Sequence, residues 1–194
     1  TEDVNASASR AQLPTASASP AWMKIMPTIG VASMRMSQNS RMDLGPSVGA
    51  LVEMGNGPLT FATGLLFNQF GGVSGGNGRD NRVTLNFLSA EAAGKYAFNV
   101  NSTKYHVKAG LMPSLLLSSE YVSKGRRSPT FTSGSDTDFM GIIGFGGSGR
   151  ITAENELGFD LAYVRTLATI PETNLDLYTS EGVIASMSLS FDMF

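Results

Sequence analysis

Residues 105–117 read YHVKAGLMPSLLL, the clearest alternation of apolar and polar residues in the chain. Every second residue from Tyr105 to Leu117 is apolar, whereas the residues between them include His106, Lys108 and Ser114. Successive side chains of a β-strand point to opposite faces, so a period of two predicts a strand with one apolar and one polar face. The chain repeats this pattern on both sides of the stretch.

From Trp22 onward, alternating segments are separated by clusters rich in Gly, Asn, Ser and Asp. This punctuation predicts about eight strands and no helix. Segment 83–98 changes parity near Phe87 and Leu88, which predicts a β-bulge. Residues 1–21 are rich in Ala, Ser and Pro and carry few large side chains, which predicts a flexible leader ahead of a single barrel domain over residues 22–194.

Composition removes several classes of protein. The 194 residues carry a formal net charge of -2, contain no cysteine and one histidine, and are 42% hydrophobic but only 15% charged. Nucleic-acid binding needs a concentrated basic surface, and thiolate chemistry needs cysteine, so both are excluded. No apolar run approaches the roughly 18 residues of a membrane-spanning helix. The sequence indicates no catalytic residue, no metal site and no cofactor.

The polar face decides which side of the barrel is the interior. A soluble, lipocalin-like carrier needs an apolar interior and a charged exterior, but here the polar face is narrow, rich in glycine and sparsely charged. The sequence therefore predicts an all-β, eight-stranded, antiparallel up-and-down transmembrane β-barrel with its apolar face outward. Its lumen is predicted to hold paired charges, which are Lys24, Glu53, Glu91, Lys95, Lys108, Glu156 and Asp160.

Aromatic residues and connection lengths fit this barrel. With both termini in the periplasm, one predicted rim carries Trp22, Tyr96, Phe98, Tyr105, Phe191 and Phe194. The other carries Phe67, Phe70, Tyr121, Phe139, Tyr163 and Tyr178. Connections 55–58 and 99–103 are short, whereas 70–82, 118–137 and 167–181 are long. Short periplasmic turns and long outer loops are the rule for such barrels.

The chain resembles the eight-stranded outer-membrane barrels of the OmpA/OmpX type, and most closely the PorT-like outer-membrane β-barrel domains. The segments that carry the resemblance are IGVASMRMS (29–37), GPSVGALVEMGNGPLTFATGLLFNQFGG (45–72), AAGKYAFNV (92–100), YHVKAGLMPSLLLS (105–118), SDTDFMGIIGFGG (135–147) and ELGFDLAYV (156–164). The resemblance implies export, insertion into the bacterial outer membrane by the barrel assembly machinery, and a lumen filled with side chains. None of these segments is a catalytic signature.

Three functional hypotheses follow. The first is a non-enzymatic outer-membrane barrel with a structural, surface-interaction or membrane-organising role; the second is a small passive pore; the third is a lipid-modifying enzyme. His106 offers the only imidazole, and we expect it to lie in the lumen near the termini, hydrogen-bonded to a neighbour. Eight-stranded barrels have interiors just wide enough for side chains, which favours a filled lumen over a pore.

Two sets of outward residues suggest partners. Loop cations, which pair well with the phosphates of outer-membrane lipid or lipopolysaccharide, are Arg79, Arg82, Lys124, Arg126 and Arg127. Small residues at positions expected to contact lipid are Ala90, Ala92, Gly141, Gly147 and Ala185. Small residues allow close approach of packed elements, which suggests a homo-oligomer joined through the barrel exteriors. The alternative is that lipid simply tolerates alanine and glycine there.

Overall fold

The computed structural model describes residues 22–35, 40–74, 81–100, 103–123, 126–130, 137–152, 155–170 and 181–193. These residues form nine β-strands. The strands are β1 (Met23–Arg35), β2 (Ser40–Met54), β3 (Leu59–Ser74), β4 (Asn81–Val100), β5 (Thr103–Ser123), β6 (Arg126–Thr130), β7 (Thr137–Arg150), β8 (Asn155–Ile170) and β9 (Glu181–Asp192).

Eight of these strands close into an antiparallel barrel. Each of β1 to β4 pairs with the next strand, β5 pairs with β7, β7 with β8, and β8 with β9, which returns to β1. The short strand β6 pairs with the last residues of β5, outside the ring. The predicted eight-stranded up-and-down barrel is therefore confirmed, with one added strand. The leader predicted for residues 1–21 lies outside the described residues.

The strands are strongly staggered. Following directly paired residues once around the ring from Lys24 leads back to β1 ten residues further on, at Met34. The intermediate positions are Glu53, Ala62, Ala93, Gly110, Ile142, Val164 and Gly182. Stagger and tilt are linked, and strands of small barrels tilt by about 35–45°.

The barrel has two distinct ends. The termini end carries Met23 and Asp192, and the opposite loop end carries Arg35 and Glu181. At the termini end, residues 55–58 make the predicted short turn between β2 and β3. Gly55 adopts a φ of 123°, which L side chains rarely reach, and its N–H donates to the carbonyl of Trp22 over 2.7 Å. The turn thereby ties the start of β1 to the rim.

The exterior of the barrel is apolar, as the alternation predicted. Ile29 on β1 and Ile143 on β7 expose 69% and 67% of their surfaces, whereas their sequence neighbours Thr28 and Ile142 are buried inside. A water-soluble barrel buries its large apolar side chains instead. This inverted arrangement is the one expected for a barrel surrounded by lipid.

The β-bulge predicted near Phe87 is confirmed in the pairing of β4 with β5, but the predicted parity change within β4 is wrong. The odd-numbered residues of β4 face the lumen along the strand, and the irregularity lies in its pairing with β5. Asn86 pairs with Ser118, but the next residue, Phe87, pairs with Leu116, so Leu117 of β5 is the extra residue. The sequence misleads here because Phe87 is an apolar residue that points inward.

The lumen divides into two halves, which corrects the expectation of a uniformly polar interior. The half nearest the loop end is filled by an apolar plug. Its members are Met34, Leu66, Phe70, Leu85, Phe87, Met112, Leu116, Met140, Ile142, Val164 and Ile184. Phe70, predicted at the outer rim, is fully buried in this plug, with its ring 5.9 Å from that of Phe87. The half nearest the termini end holds most of the charges.

The strands also extend further toward the loop end than predicted. The predicted loop 70–82 is strand up to Ser74 and again from Asn81. In the predicted loop 118–137, β5 continues to Ser123 and β6 pairs beside it.

Candidate functional site

Lys108 lies at the centre of the most deeply buried charge cluster. Its Nζ is 2.9 Å from Oε1 of Glu91 and 3.6 Å from Oδ1 of Asp160. The same Oδ1 of Asp160 also accepts a hydrogen bond from Nε2 of His106 over 2.9 Å. The side chains of Lys108 and Glu91 expose only 5% and 2% of their surfaces. A charge this deeply buried is stable only when it is paired, so these four residues form one unit.

The space for the His106 ring is made by a glycine on the neighbouring strand. His106 pairs with Gly146 across β5 and β7. A Cβ at position 146 would lie 2.6 Å from Cε1 of His106 and 2.3 Å from the carbonyl oxygen of Phe159. Any side chain at Gly146 would therefore push the imidazole away from Asp160.

Two further groups of charges lie closer to the termini end. Nζ of Lys95 is 2.8 Å from Oε2 of Glu53, whose other oxygen accepts a 3.0 Å hydrogen bond from Thr60. Nζ of Lys24 is 3.2 Å from Oε2 of Glu156 and 3.5 Å from Oδ1 of Asp192. All seven sequence-predicted lumen charges thus lie in these groups. His106 has a hydrogen-bonded neighbour, Asp160, as expected, whereas sequence reasoning missed Asp192 as a partner.

A row of uncharged polar side chains crosses the lumen wall beside the apolar plug. Oγ of Ser47 donates to Oδ1 of Asn68 over 2.7 Å, and Nδ2 of Asn68 donates to Oγ of Ser89 over 3.1 Å. Ser114 continues the row with a 2.8 Å hydrogen bond from its Oγ to that of Ser89. The row satisfies buried polar groups on four neighbouring strands.

The cavities of the barrel are small except at the termini end. An open vestibule of about 670 Å³ lies there, lined by residues that include Lys104, Arg150 and Asn56. Deeper in the lumen, a cavity lined by His106 and Asp160 measures about 30 Å³, and one beside Glu91 and Lys108 measures about 20 Å³. A single water needs roughly 10–15 Å³ measured in this way, so the inner cavities have room for only one or two waters each.

An aromatic row marks the outer surface at the termini end. Phe98, Tyr105, Phe145 and Phe159 stand on four neighbouring strands, with consecutive ring centroids 5.9 to 6.4 Å apart. Aromatic girdles of this kind lie at the boundary between the hydrocarbon and the lipid headgroups in transmembrane barrels.

A polar row marks the outer surface at the loop end. Nε2 of Gln69 donates to Asn86 over 2.9 Å, and Nδ2 of Asn86 donates to Ser118 over 2.8 Å. On β4, Asn86 and Phe98 are separated by twelve residue steps. At about 3.4 Å per residue and a tilt of about 40°, these steps rise roughly 30 Å, which matches the hydrocarbon core of a bilayer.

The structure locates only some of the predicted loop cations. Arg82, on the exposed side of β4, pairs with Asp43 of β2. Arg79 and Lys124 lie outside the described residues, and Arg126 and Arg127 belong to β6, for which the backbone pairing with β5 is described. The predicted contacts of these residues with anions therefore stay predictions.

A second outward charge cluster was missed by the sequence analysis. Glu181 of β9 stands directly between Arg35 of β1 and Arg165 of β8 in the strand register. The hydroxyl of Tyr163 donates to Oε2 of Glu181 over 2.8 Å. We call these four residues the rim cluster. Strand parity could have found it, because Arg35 shares its face with Val31 and Arg165 shares its face with Leu161.

Two of the predicted small exterior positions are covered by neighbouring side chains. A Cβ at Gly147 would lie 2.9 Å from the ring of Phe159 and 3.2 Å from the ring of Tyr105, and Gly147 is buried. A Cβ at Gly141 would lie 3.3 Å from the side chain of Leu167. The expectation that Gly147 contacts lipid is therefore wrong, because it makes room for larger side chains on adjacent strands; Gly141 is half-buried beside Leu167.

Among the residues that the structure describes, no helix is long and apolar enough to cross a bilayer. Within the same residues, no group of three or more His, Asp or Glu side chains is placed to hold a metal ion.

The closed barrel, its apolar exterior and its filled lumen define a small transmembrane β-barrel. Residues 16–170, most of the chain, match the family model described as outer membrane protein beta-barrel domain. The chain belongs to this family and is an integral β-barrel of the bacterial outer membrane, as the resemblance predicted. No match was found among curated proteins.

Solved structures of small outer-membrane barrels are similar in fold. Neisserial surface protein A superimposes with a TM-score of 0.59 at 14% identity, covering 88% of this chain and 97% of that one. OprG of Pseudomonas aeruginosa gives 0.48 at 8% identity, covering 89% and 96%. Ail, the attachment invasion locus protein of Yersinia pestis, gives 0.47 at 11%, covering 87% and 96%. At 14% identity the likeness to Neisserial surface protein A shows the fold alone.

Proposed function

We propose that this protein is a non-enzymatic, non-conducting outer-membrane barrel that acts through its outer surface and its loop end. The observation that carries this proposal is the filled lumen. The apolar plug occupies the half nearest the loop end, and the buried charge groups occupy the other half. Because an eight-stranded barrel leaves little space beyond its own side chains, such a lumen offers no continuous path for water or ions.

The proposed absence of catalysis rests on access to His106. The cavity beside His106 measures about 30 Å³, which is too small for a lipid chain or a peptide. General acid–base or nucleophilic catalysis requires the reacting group to reach the side chain. A His106 that is held by Asp160 inside the lumen fits a role in stability.

We also propose that the termini end faces the periplasm and the loop end faces the exterior. The turns at the termini end are short, as in residues 55–58 and the two residues between β4 and β5. At the loop end the chain between β8 and β9 is longer, over residues 171–180. Surface contacts with other molecules would then be made by the loop end, together with β6.

Conductance across a planar lipid bilayer tests the proposal. The full chain, refolded and inserted, is expected to give no resolved current steps above those of a protein-free bilayer. Folding and insertion are verified separately by the difference in electrophoretic mobility between the unheated and the heated protein. Current steps that change with Lys95→Gln in the lumen, but not with Arg150→Gln at the vestibule, would establish a pore and contradict the proposal.

A further inference from the structure

We propose that the rim cluster, Arg35, Tyr163, Arg165 and Glu181, binds a phosphate group of the outer-leaflet glycolipid. This inference rests on the proposed orientation, in which the loop end faces the exterior. It assigns a ligand class to outward side chains of β1, β8 and β9, whereas the loop cations considered above belong to other parts of the chain.

The first argument is charge balance. Residues directly opposite each other on neighbouring strands have Cβ atoms about 4.5–5.5 Å apart, so both arginines flank the single carboxylate of Glu181. That carboxylate already accepts the hydrogen bond from Tyr163. Among the described residues, neither Arg35 nor Arg165 forms an ion pair with a carboxylate, since Glu181 is bonded to Tyr163 instead. The cluster therefore carries one positive charge that its own residues leave unneutralised.

The second argument is the position of that charge. Arg165 lies between Tyr163 and Leu167 on the outward face of β8, and these two residues expose 43% and 63% of their surfaces. The Arg165 side chain thus lies on the barrel exterior, at the loop-end border of the apolar surface. A cation facing lipid is costly, and the cost falls when an anion is present at the headgroup level. Glycolipid phosphates supply that anion, and guanidinium groups bind phosphate with two parallel hydrogen bonds.

The third argument is an unused hydrogen-bond donor. Ser33 precedes Arg35 by two residues, so strand alternation places both on the outward face of β1. Ser33 exposes only 6% of its surface, and its Oγ has no hydrogen-bond partner in the described structure. Buried hydroxyl groups are nearly always satisfied, so an unsatisfied one on the same strand face as Arg35 points to a partner supplied from outside the chain.

Native mass spectrometry of the full chain in a phosphate-free maltoside detergent tests the site. The probes are diphosphoryl lipid A and lipid A from which both phosphates have been removed. The wild type is expected to retain diphosphoryl lipid A at least about tenfold more strongly than the dephosphorylated form. This ratio corresponds to the loss of one hydrogen bond to a charged group. The double variant R35Q/R165Q is expected to lose this preference.

The matched control is Arg150→Gln, which removes an exposed guanidinium at the opposite end of the barrel. It is expected to keep the wild-type preference. The variant R35K/R165K keeps the charge but loses the bidentate hydrogen bonding of the guanidinium groups. We therefore expect it to retain diphosphoryl lipid A to an intermediate degree. Folding of every variant is checked by its gel shift on heating.

Three outcomes would overturn the assignment: equal retention of both lipids by the wild type, an unchanged preference in R35Q/R165Q, or displacement of the lipid by an equal concentration of inorganic phosphate. The last outcome would show a site for free phosphate rather than for a lipid headgroup. None of these outcomes bears on the conductance experiment, so failure of the site and failure of the proposed function are distinguishable.

Discussion

Lys108 holds a full charge where almost no solvent reaches it, and its stability depends on Glu91 and Asp160. We expect Lys108→Met to lower the free energy of unfolding by about 3–5 kcal/mol, because it leaves two buried carboxylates without their cation. Glu91→Gln is expected to cost less, because Lys108 keeps Asp160 at 3.6 Å. Urea unfolding of the refolded barrel in detergent micelles, followed by the fluorescence of Trp22, measures both.

The matched control on the same strand is Lys104→Met. Lys104 lines the open vestibule, so removal of its charge is expected to change the unfolding free energy by less than about 0.5 kcal/mol. The double variant K108M/E91M removes both members of the closest pair and should recover part of the loss. Wild-type stability in Lys108→Met would show that the buried charges contribute nothing to folding.

These residues also show how much of the site could be predicted. Strand parity alone identifies Lys24, Lys95 and Lys108 as lumen residues. Parity does not give their partners, because a partner is set by the stagger of the closed ring and by distant strands. The contact between Lys24 and Asp192 joins β1 to β9, which become neighbours only when the barrel closes.

Strand β7 provides the comparison that tests the apolar belt. Ile143 lies on the outward face of this strand, and Ile151 lies just beyond its end; they expose 67% and 59% of their surfaces. We expect Ile143→Arg to lower the free energy of unfolding in lipid vesicles by about 2–4 kcal/mol, and Ile151→Arg by no more than about 1 kcal/mol. A urea titration in vesicles measures both values.

The two isoleucines serve as controls for each other because they match in residue type and in exposure. In a barrel surrounded by water, an arginine at either exposed position would change stability by only about 0.5 kcal/mol. Equal losses of stability in the two variants would therefore contradict the position of the apolar belt. A larger loss for Ile143→Arg measures how deeply position 143 lies in the hydrocarbon.

The elements were predictable where one face is continuously apolar. β5 and β8 alternate cleanly from the termini end to the middle of the barrel, and their predicted faces agree with the structure. The prediction was wrong for Phe70 and Phe87, because both fill the plug inside the loop-end half of the lumen. When apolar residues point inward on one level and outward on another, periodicity gives the strand but not its face.

At the scale of the whole molecule, the remaining question is whether barrels associate. The homo-oligomer hypothesis rested on small outward residues, and two of these, Gly141 and Gly147, are covered by neighbouring side chains. A strip that stays open lies on β4, where Ala90 and Ala92 are half-buried and a Cβ at Gly94 would meet only one atom, 4.0 Å away. Ala185 on β9 is also half-buried, so the hypothesis is reduced to β4 and this single position on β9.

We expect the detergent-extracted protein to have the mass of a single chain, 20.5 kDa, after correction for bound detergent and lipid. One strip of small residues offers little area, and the closed ring leaves no strand edge within the barrel wall to join a second copy. Size exclusion with light scattering measures this mass. A defined multiple that returns to one chain in Ala92→Phe, but not in Ala109→Phe on the neighbouring strand, would contradict this expectation and make β4 the interface. A monomer would instead leave lipid and the molecules that reach the loop end as the partners through which this barrel acts.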